Sequence, residues 1–175
     1  MYNKDCKGCQ LALGKRNIAG GTVDLGEYWM VNHYAGEEGF LGWLVMQPKE
    51  HFMELSEFAK KELEEFGIQL KRLEKAIQQV WKELKQDDSV ERIYVILFFE
   101  SGLEKDELWH IHFHVIPRTK SIGEEEPSSE EKKLKNPRIT NHKAWYIVRS
   151  KPAKDPKPKP AKVEEFMNLL RKHLE

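Results

Sequence analysis

The segment LWHIHFHVIPR, residues 108–118, sets His110, His112 and His114 at every second position, with Ile111, Phe113 and Val115 between them. Imidazole is a metal ligand, a proton carrier near neutral pH and a nucleophile, so three in register mark a candidate reaction centre. In an extended chain alternate side chains share a face, which puts the three histidines on one side and Ile111, Phe113 and Val115 in a core on the other. A helix would scatter them. The β-branched and aromatic neighbours favour the strand, and Pro117 closes it where a ladder donor is no longer needed. A lone histidine on a half-buried strand needs nothing more than a hydrogen bond. Three on one face stand ~6–7 Å apart and repel one another when protonated, so the fold gains nothing from them unless a metal or an anion uses them. Two chemistries stay open: a tri-histidine catalytic zinc site, and an anion site in which one imidazole attacks phosphorus while its neighbours orient it and stabilise charge.

The second chemical signal is CKGCQ, which holds the only two cysteines, Cys6 and Cys9. That spacing suits one metal ion or a redox pair and cannot build a disulfide framework, so a reducing compartment is expected. Metal binding and two free thiols both fit the pair alone. A thioredoxin-like motif would need a βαβ pattern around it, and none is present. Lys plus Arg equals Asp plus Glu at 29 each, so the chain lacks the basic bias of a protein held by nucleic-acid phosphates, and any phosphate site is local. No charged segment followed by an apolar one opens the chain, and no run approaches the ~18 apolar residues of a membrane span. A cytoplasmic protein with no membrane partner is the expectation.

A chain of 175 residues, 39% of them hydrophobic, suffices for one domain with a core and a tail. GTVDLGEYWMVNHY and GFLGWLVMQPKEH carry short apolar, aromatic or β-branched runs around the turn-prone AGEEG, and read as the two strands of a hairpin. From Met53 to about Gln86 apolar residues recur at spacings of 3 and 4, the mark of a long amphipathic helix. Ser56 is its candidate N-cap, and Gly67 a candidate kink or break. RIYVILFFESG is nearly continuous in apolar residues and reads as a buried strand, antiparallel to the histidine strand. Beyond Arg118, residues 119–150 read as a mobile acidic loop with room for an extra strand in HKAWYIVRS. Residues 151–162 form a Lys/Pro linker, and residues 163–175 an amphipathic helix free to recruit a partner.

HIHFHVI resembles the motif of the histidine triad (HIT) superfamily, three histidines alternating with hydrophobic residues followed by two more. The following PR, the turn in LVMQPKEH and the order hairpin, helix, strand, triad strand are similar to that family too, over residues 6 to 118. The resemblance implies an α+β fold, a HIT-like antiparallel sheet with one long helix packed on it, here with a C-terminal extension ending in a helix; residues 1–118 would be the catalytic domain. It implies that His112 attacks the α-phosphorus of a nucleotide to form a nucleotidyl-histidine, its other ring nitrogen donating to a backbone carbonyl, while His114 contacts the phosphate or leaving group. Some HIT proteins, and the related galactose-1-phosphate uridylyltransferases, carry an N-terminal C-x-x-C that binds zinc with two histidines. Carried over, Cys6, Cys9, His51 and His110 would hold a structural zinc, taking His110 out of the chemistry. A homodimer is also common in the family.

The implied activity is a nucleotide hydrolase or nucleotidyltransferase acting on nucleoside phosphoramidates, dinucleoside polyphosphates or related nucleotides. Its rival is a noncatalytic nucleotide-binding or scaffolding module with a structural zinc. The rival draws on departures from the family pattern: Glu100 where an Asn is usual, and Asp106 with Glu107 where the loop normally donates hydrogen bonds to phosphate, a task an ionised carboxylate cannot perform. The acidic ribose-binding residue is also missing, with Asn32 or Glu37 as substitutes. His33, His142 and His173 fit no pattern and read as surface or packing residues.

Overall fold

The computed structural model describes residues 2–36, 40–84, 89–97, 109–119 and 158–175. Helix α1 (Lys7–Ala12) is followed by strands β1 (Thr22–Leu25), β2 (Trp29–His33) and β3 (Leu44–Pro48), helix α2 (Lys60–Leu84), strands β4 (Val90–Leu97) and β5 (Phe113–Thr119), and helix α3 (Pro160–Leu174). The strands form one antiparallel sheet in the order β1-β2-β3-β5-β4. This is the α+β arrangement expected, a sheet with a long helix on it.

The expected hairpin is one strand richer. GTVDLGEYWMVNHY turns back on itself, because Gly26 takes φ +76°, where a side chain is strained, and frees the chain for the turn between β1 and β2. Glu65 of α2 holds that turn, its carboxylate accepting the N–H of Glu27 at 3.2 Å and of Tyr28 at 2.9 Å. β2 then pairs with β3, as the second half of the pattern requires.

Pairing of Val45 with His114, and of Met46 with Phe113, sorts the sheet into two faces. Trp29, Val31, Leu44, Met46, Phe113 and Val115 face the helices and form the main core with Leu73, Ile77 and Val80 of α2. His114, Val45 and Ile116 lie on the other face, where Phe40, Trp43 and Ile116 make a smaller cluster with Tyr34, Tyr94 and Ile96 against it.

Other sequence expectations need correction as well. Helix α2 begins at Lys60, not behind Ser56, which lies in a 3-10 turn (Leu55–Glu57) capped by Glu54 and Glu57. It runs through Gly67 without a break, and a Cβ there would meet nothing, so no packing demands the glycine. β4 is half-buried rather than buried: it has a strand neighbour on one side only among the described residues, and Val95 is 40% exposed. The apolar run reported hydrophobic neighbours but not edge position.

The tail also differs from expectation. Helix α3 starts three residues inside the expected linker, with Pro160 in its first turn, where a proline costs no hydrogen bond. Its apolar stripe is not available to a partner, because Val163, Phe166, Met167, Leu170 and Leu174 are buried in the main core. Arg171 donates to the carbonyls of Gly20 and Thr22, and His173 meets Glu83 of α2 at 2.6 Å. Phe166→Ala is therefore expected to cost about 3–5 kcal/mol in urea unfolding, as for a core phenylalanine. A change under ~0.5 kcal/mol, the value typical of a surface site, would contradict this placement.

Candidate active site and metal centre

Of the three histidines expected on one strand only His114 lies within β5, which begins at Phe113; Trp109–His112 lead into it outside any regular element. Ile111 is fully buried in the helix-side core, and its N–H donates to the carbonyl of Phe52 at 2.8 Å. That anchor turns the neighbouring histidines to the opposite side. The rings of His112 and His114 lie 5.1 Å apart at 69°, and Trp109 packs against His112 at 5.1 Å.

The three histidines have different surroundings and so different chemistry. His110 is buried, and its Nε2–H donates to the carbonyl of Pro48 at 3.0 Å, which leaves the Nδ1 lone pair for the cysteines. Burial pushes its pKa down to about 4, so the ring is neutral at pH 7. His112 is half-buried, and its Nδ1–H donates to the carbonyl of His110 at 2.8 Å. The lone pair is thereby assigned to Nε2. His114 is buried, and its Nδ1 accepts the indole N–H of Trp43 at 2.9 Å. Burial, with a smaller contribution from His112, pushes His114 down to about 4 as well.

Around His110 the N-terminal pair closes in. The Sγ atoms of Cys6 and Cys9 lie 3.4 and 3.7 Å from His110 Nδ1, and Cys9 Sγ lies 3.4 Å from His51 Nδ1. All four ligand atoms fall within 4.8 Å of one another. In a tetrahedron with Zn–S ~2.3 Å and Zn–N ~2.05 Å the edges are about 3.3–3.8 Å, so three of these separations are already those of a four-coordinate site. The cysteines are not disulfide-bonded, and burial raises the Cys9 thiol above its ordinary range.

Gly8, between the cysteines, was not singled out by its sequence position, yet it sets how closely α1 approaches the triad strand. A Cβ there would lie 2.6 Å from His110 Cγ. Gln47 helps, donating to the Gly8 carbonyl at 3.0 Å. Gly8→Ala is expected to push the His110 ring off its line to the cysteines and weaken metal retention about tenfold, as loss of a ligand-orienting partner does. Competition against a chromophoric chelator measures it; unchanged retention would contradict the close approach.

Other sequence candidates fall apart from this site. His33 is buried and satisfied, its Nδ1–H donating to the Tyr34 carbonyl and its Nε2 accepting from the Gly42 N–H, a packing role as read. His173 ties α3 to Glu83 at the surface. Asn32 is buried, its amide donating to the His33 carbonyl. Glu37, Glu100, Asp106, Glu107 and His142 lie outside the described residues. Trp43 was missed, although it falls two residues before Val45 and so on the triad's face; finding it required the β3–β5 register.

No protein-family model matches the chain, and no curated protein matches it. Solved structures do. A Hit-like protein involved in cell-cycle regulation from Bartonella henselae is similar with a TM-score of 0.58 at 14% identity, covering 99% of each chain. A hypothetical histidine triad nucleotide-binding protein from Sulfolobus tokodaii strain7 gives 0.56 at 15% identity, over 97% of this chain and 91% of that one. A Zn-bound histidine triad family protein from Mycobacterium smegmatis gives 0.55 at 16% identity, over 97% and 92%. The chain thus has the fold of histidine triad proteins, C-terminal helix included. No helix among the described residues is long and apolar enough to cross a membrane.

Proposed function

We propose that this chain is a histidine triad nucleotide hydrolase or nucleotidyltransferase working through a covalent nucleotidyl-histidine on His112. The observation that carries the reading is the 2.8 Å hydrogen bond from His112 Nδ1–H to the His110 carbonyl, which leaves the Nε2 lone pair on a half-buried ring. In the first step Nε2 bonds to the α-phosphorus of a nucleoside phosphoramidate, dinucleoside polyphosphate or similar nucleotide, and the bond to the leaving group breaks with its electron pair. In the second, water or another acceptor attacks phosphorus, the P–Nε2 bond breaks, and the ring regains its lone pair. Imidazole suits both steps, since it is an unprotonated nucleophile near neutrality and a good leaving group from phosphorus. Rigid placement on a strand supplies most of what phosphoryl transfer asks of a protein.

Cys6, Cys9, His51 and His110 would hold a zinc ion. The donor set of two sulfurs and two imidazole nitrogens, with near-tetrahedral separations, fits that ion, and a Zn-bound protein shares the fold. Four protein ligands leave no open position, so zinc would supply structural bracing and no activated water. A tri-histidine metal is disfavoured, because His110 Nδ1 points at the cysteines and His112 Nδ1 at a carbonyl. A homodimer belongs to this reading as well, which light scattering tests.

The test is a panel of these nucleotides mixed with the protein, quenched without acid and read by intact mass. A gain equal to a nucleotidyl group, with turnover, is expected. Nucleotide binding with neither adduct nor turnover across the panel would overturn the reading in favour of a noncatalytic binding module.

A further inference from the structure

His112 and His114 sit side by side as opposite tautomers. His112 carries its proton on Nδ1, given to the His110 carbonyl, whereas His114 uses Nδ1 as an acceptor. The donor on the second ring is the Trp43 indole N–H, which cannot act as an acceptor and cannot rotate to become one. Trp43 is 3% exposed, its ring stacked on Tyr34 at 4.5 Å and 18° and packed against Phe40 at 5.5 Å, so the direction of its N–H is set by the small cluster on this face. A nitrogen that accepts this bond has no proton of its own. To protonate it would set N–H against N–H in a buried place.

Resting on the function proposed above, we propose that Trp43 is a positioning residue: its indole N–H holds His114 neutral with the proton on Nε2, making His114 a fixed hydrogen-bond donor and not a proton acceptor. A phosphate oxygen, or a leaving-group oxygen gaining charge, offers lone pairs only and needs a donor. Two neighbouring imidazoles of the same tautomer would both present lone pairs and repel that oxygen. Opposite tautomers give one attacking nitrogen and one donating N–H on adjacent rings 5.1 Å apart. The low pKa of His114 agrees, since burial alone already disfavours its charged form. A neutral donor in a partly dry site also needs no reorganisation as charge develops.

The experiment is long-range 1H–15N correlation on the full chain labelled with 15N histidine and tryptophan. The expected result for the wild type is His114 in the Nε2–H form, with a through-hydrogen-bond 15N–15N coupling between Trp43 Nε1 and His114 Nδ1. Trp43→Phe keeps a ring but removes the N–H; His114 should then spread over both tautomers while His112 keeps its own. With a phosphoramidate substrate, kcat should fall about tenfold with KM nearly unchanged, less than the ~100-fold of deleting a donor outright. An Nδ1–H tautomer in the wild type overturns the proposal, as does an unshifted tautomer in Trp43→Phe. The wild-type spectrum decides even if the variant does not fold. It is independent of turnover, so failure of the nucleotide panel with the coupling present would sink the enzymatic reading and leave the tautomer lock standing.

Discussion

His112→Ala is expected to lower turnover of a nucleoside phosphoramidate by at least ~10³-fold while leaving the thermal midpoint within a few degrees of the wild type, because it removes the only bond-forming atom of the proposed mechanism. The fold does not depend on this ring. It is half-buried, its polar contact is a bond to the carbonyl two residues back, and its neighbours Trp109 and His114 touch it through their rings. Steady-state assay and thermal melting on the same sample check both halves. Retained turnover would remove His112 from the chemistry; a collapsed melting transition would make it a structural residue.

Removal of the proposed zinc, or replacing Cys9 by Ser, is expected to cost about 5 kcal/mol or more, a fall of ~10–20 °C in the thermal midpoint for a domain of this size. The argument is one of topology. The four candidate ligands come from α1 and its N-cap, from the residues after β3 and from the segment leading into β5, so one ion would tie the N-terminus to two separate parts of the sheet. The four ligand atoms lie within 4.8 Å of one another, so one ion would replace weak sulfur–imidazole contacts with four coordinate bonds. Since Ile111 and the Pro48 carbonyl still hold the triad strand, activity per folded molecule should fall far less than stability does. Atomic emission for zinc, then melting with and without chelator, checks this; a metal-free protein of unchanged stability would contradict it.

What could be read from the residues follows from how local each determinant is. Alternation of His110, His112 and His114 with Ile111, Phe113 and Val115 needs only the two-residue period of a strand, and it placed both faces of the sheet. The apolar spacing of α2 and α3 was equally local. The β1–β2 turn was hidden because it depends on Glu65, almost forty positions away, accepting the N–H groups of Glu27 and Tyr28. The partial exposure of β4 and the burial of α3 are properties of neighbours, which a run of apolar residues does not specify. The cysteine pair alone left metal binding and free thiols open; the set Cys6, Cys9, His51 and His110 came from the family resemblance, and the structure brings those four groups together. Trp43 carried no local sign at all: its indole reaches His114 only because Val45 pairs with that residue.

The proposed chemistry turns on a bond between phosphorus and one ring nitrogen, which peptide mapping of the trapped adduct locates. After a brief reaction with a nucleoside phosphoramidate, digestion and tandem mass spectrometry at neutral to basic pH should place the nucleotidyl group on His112 of the peptide spanning Trp109 to Arg118. A nucleotidyl group found on His110, on His114 or on a residue outside this strand would contradict the account.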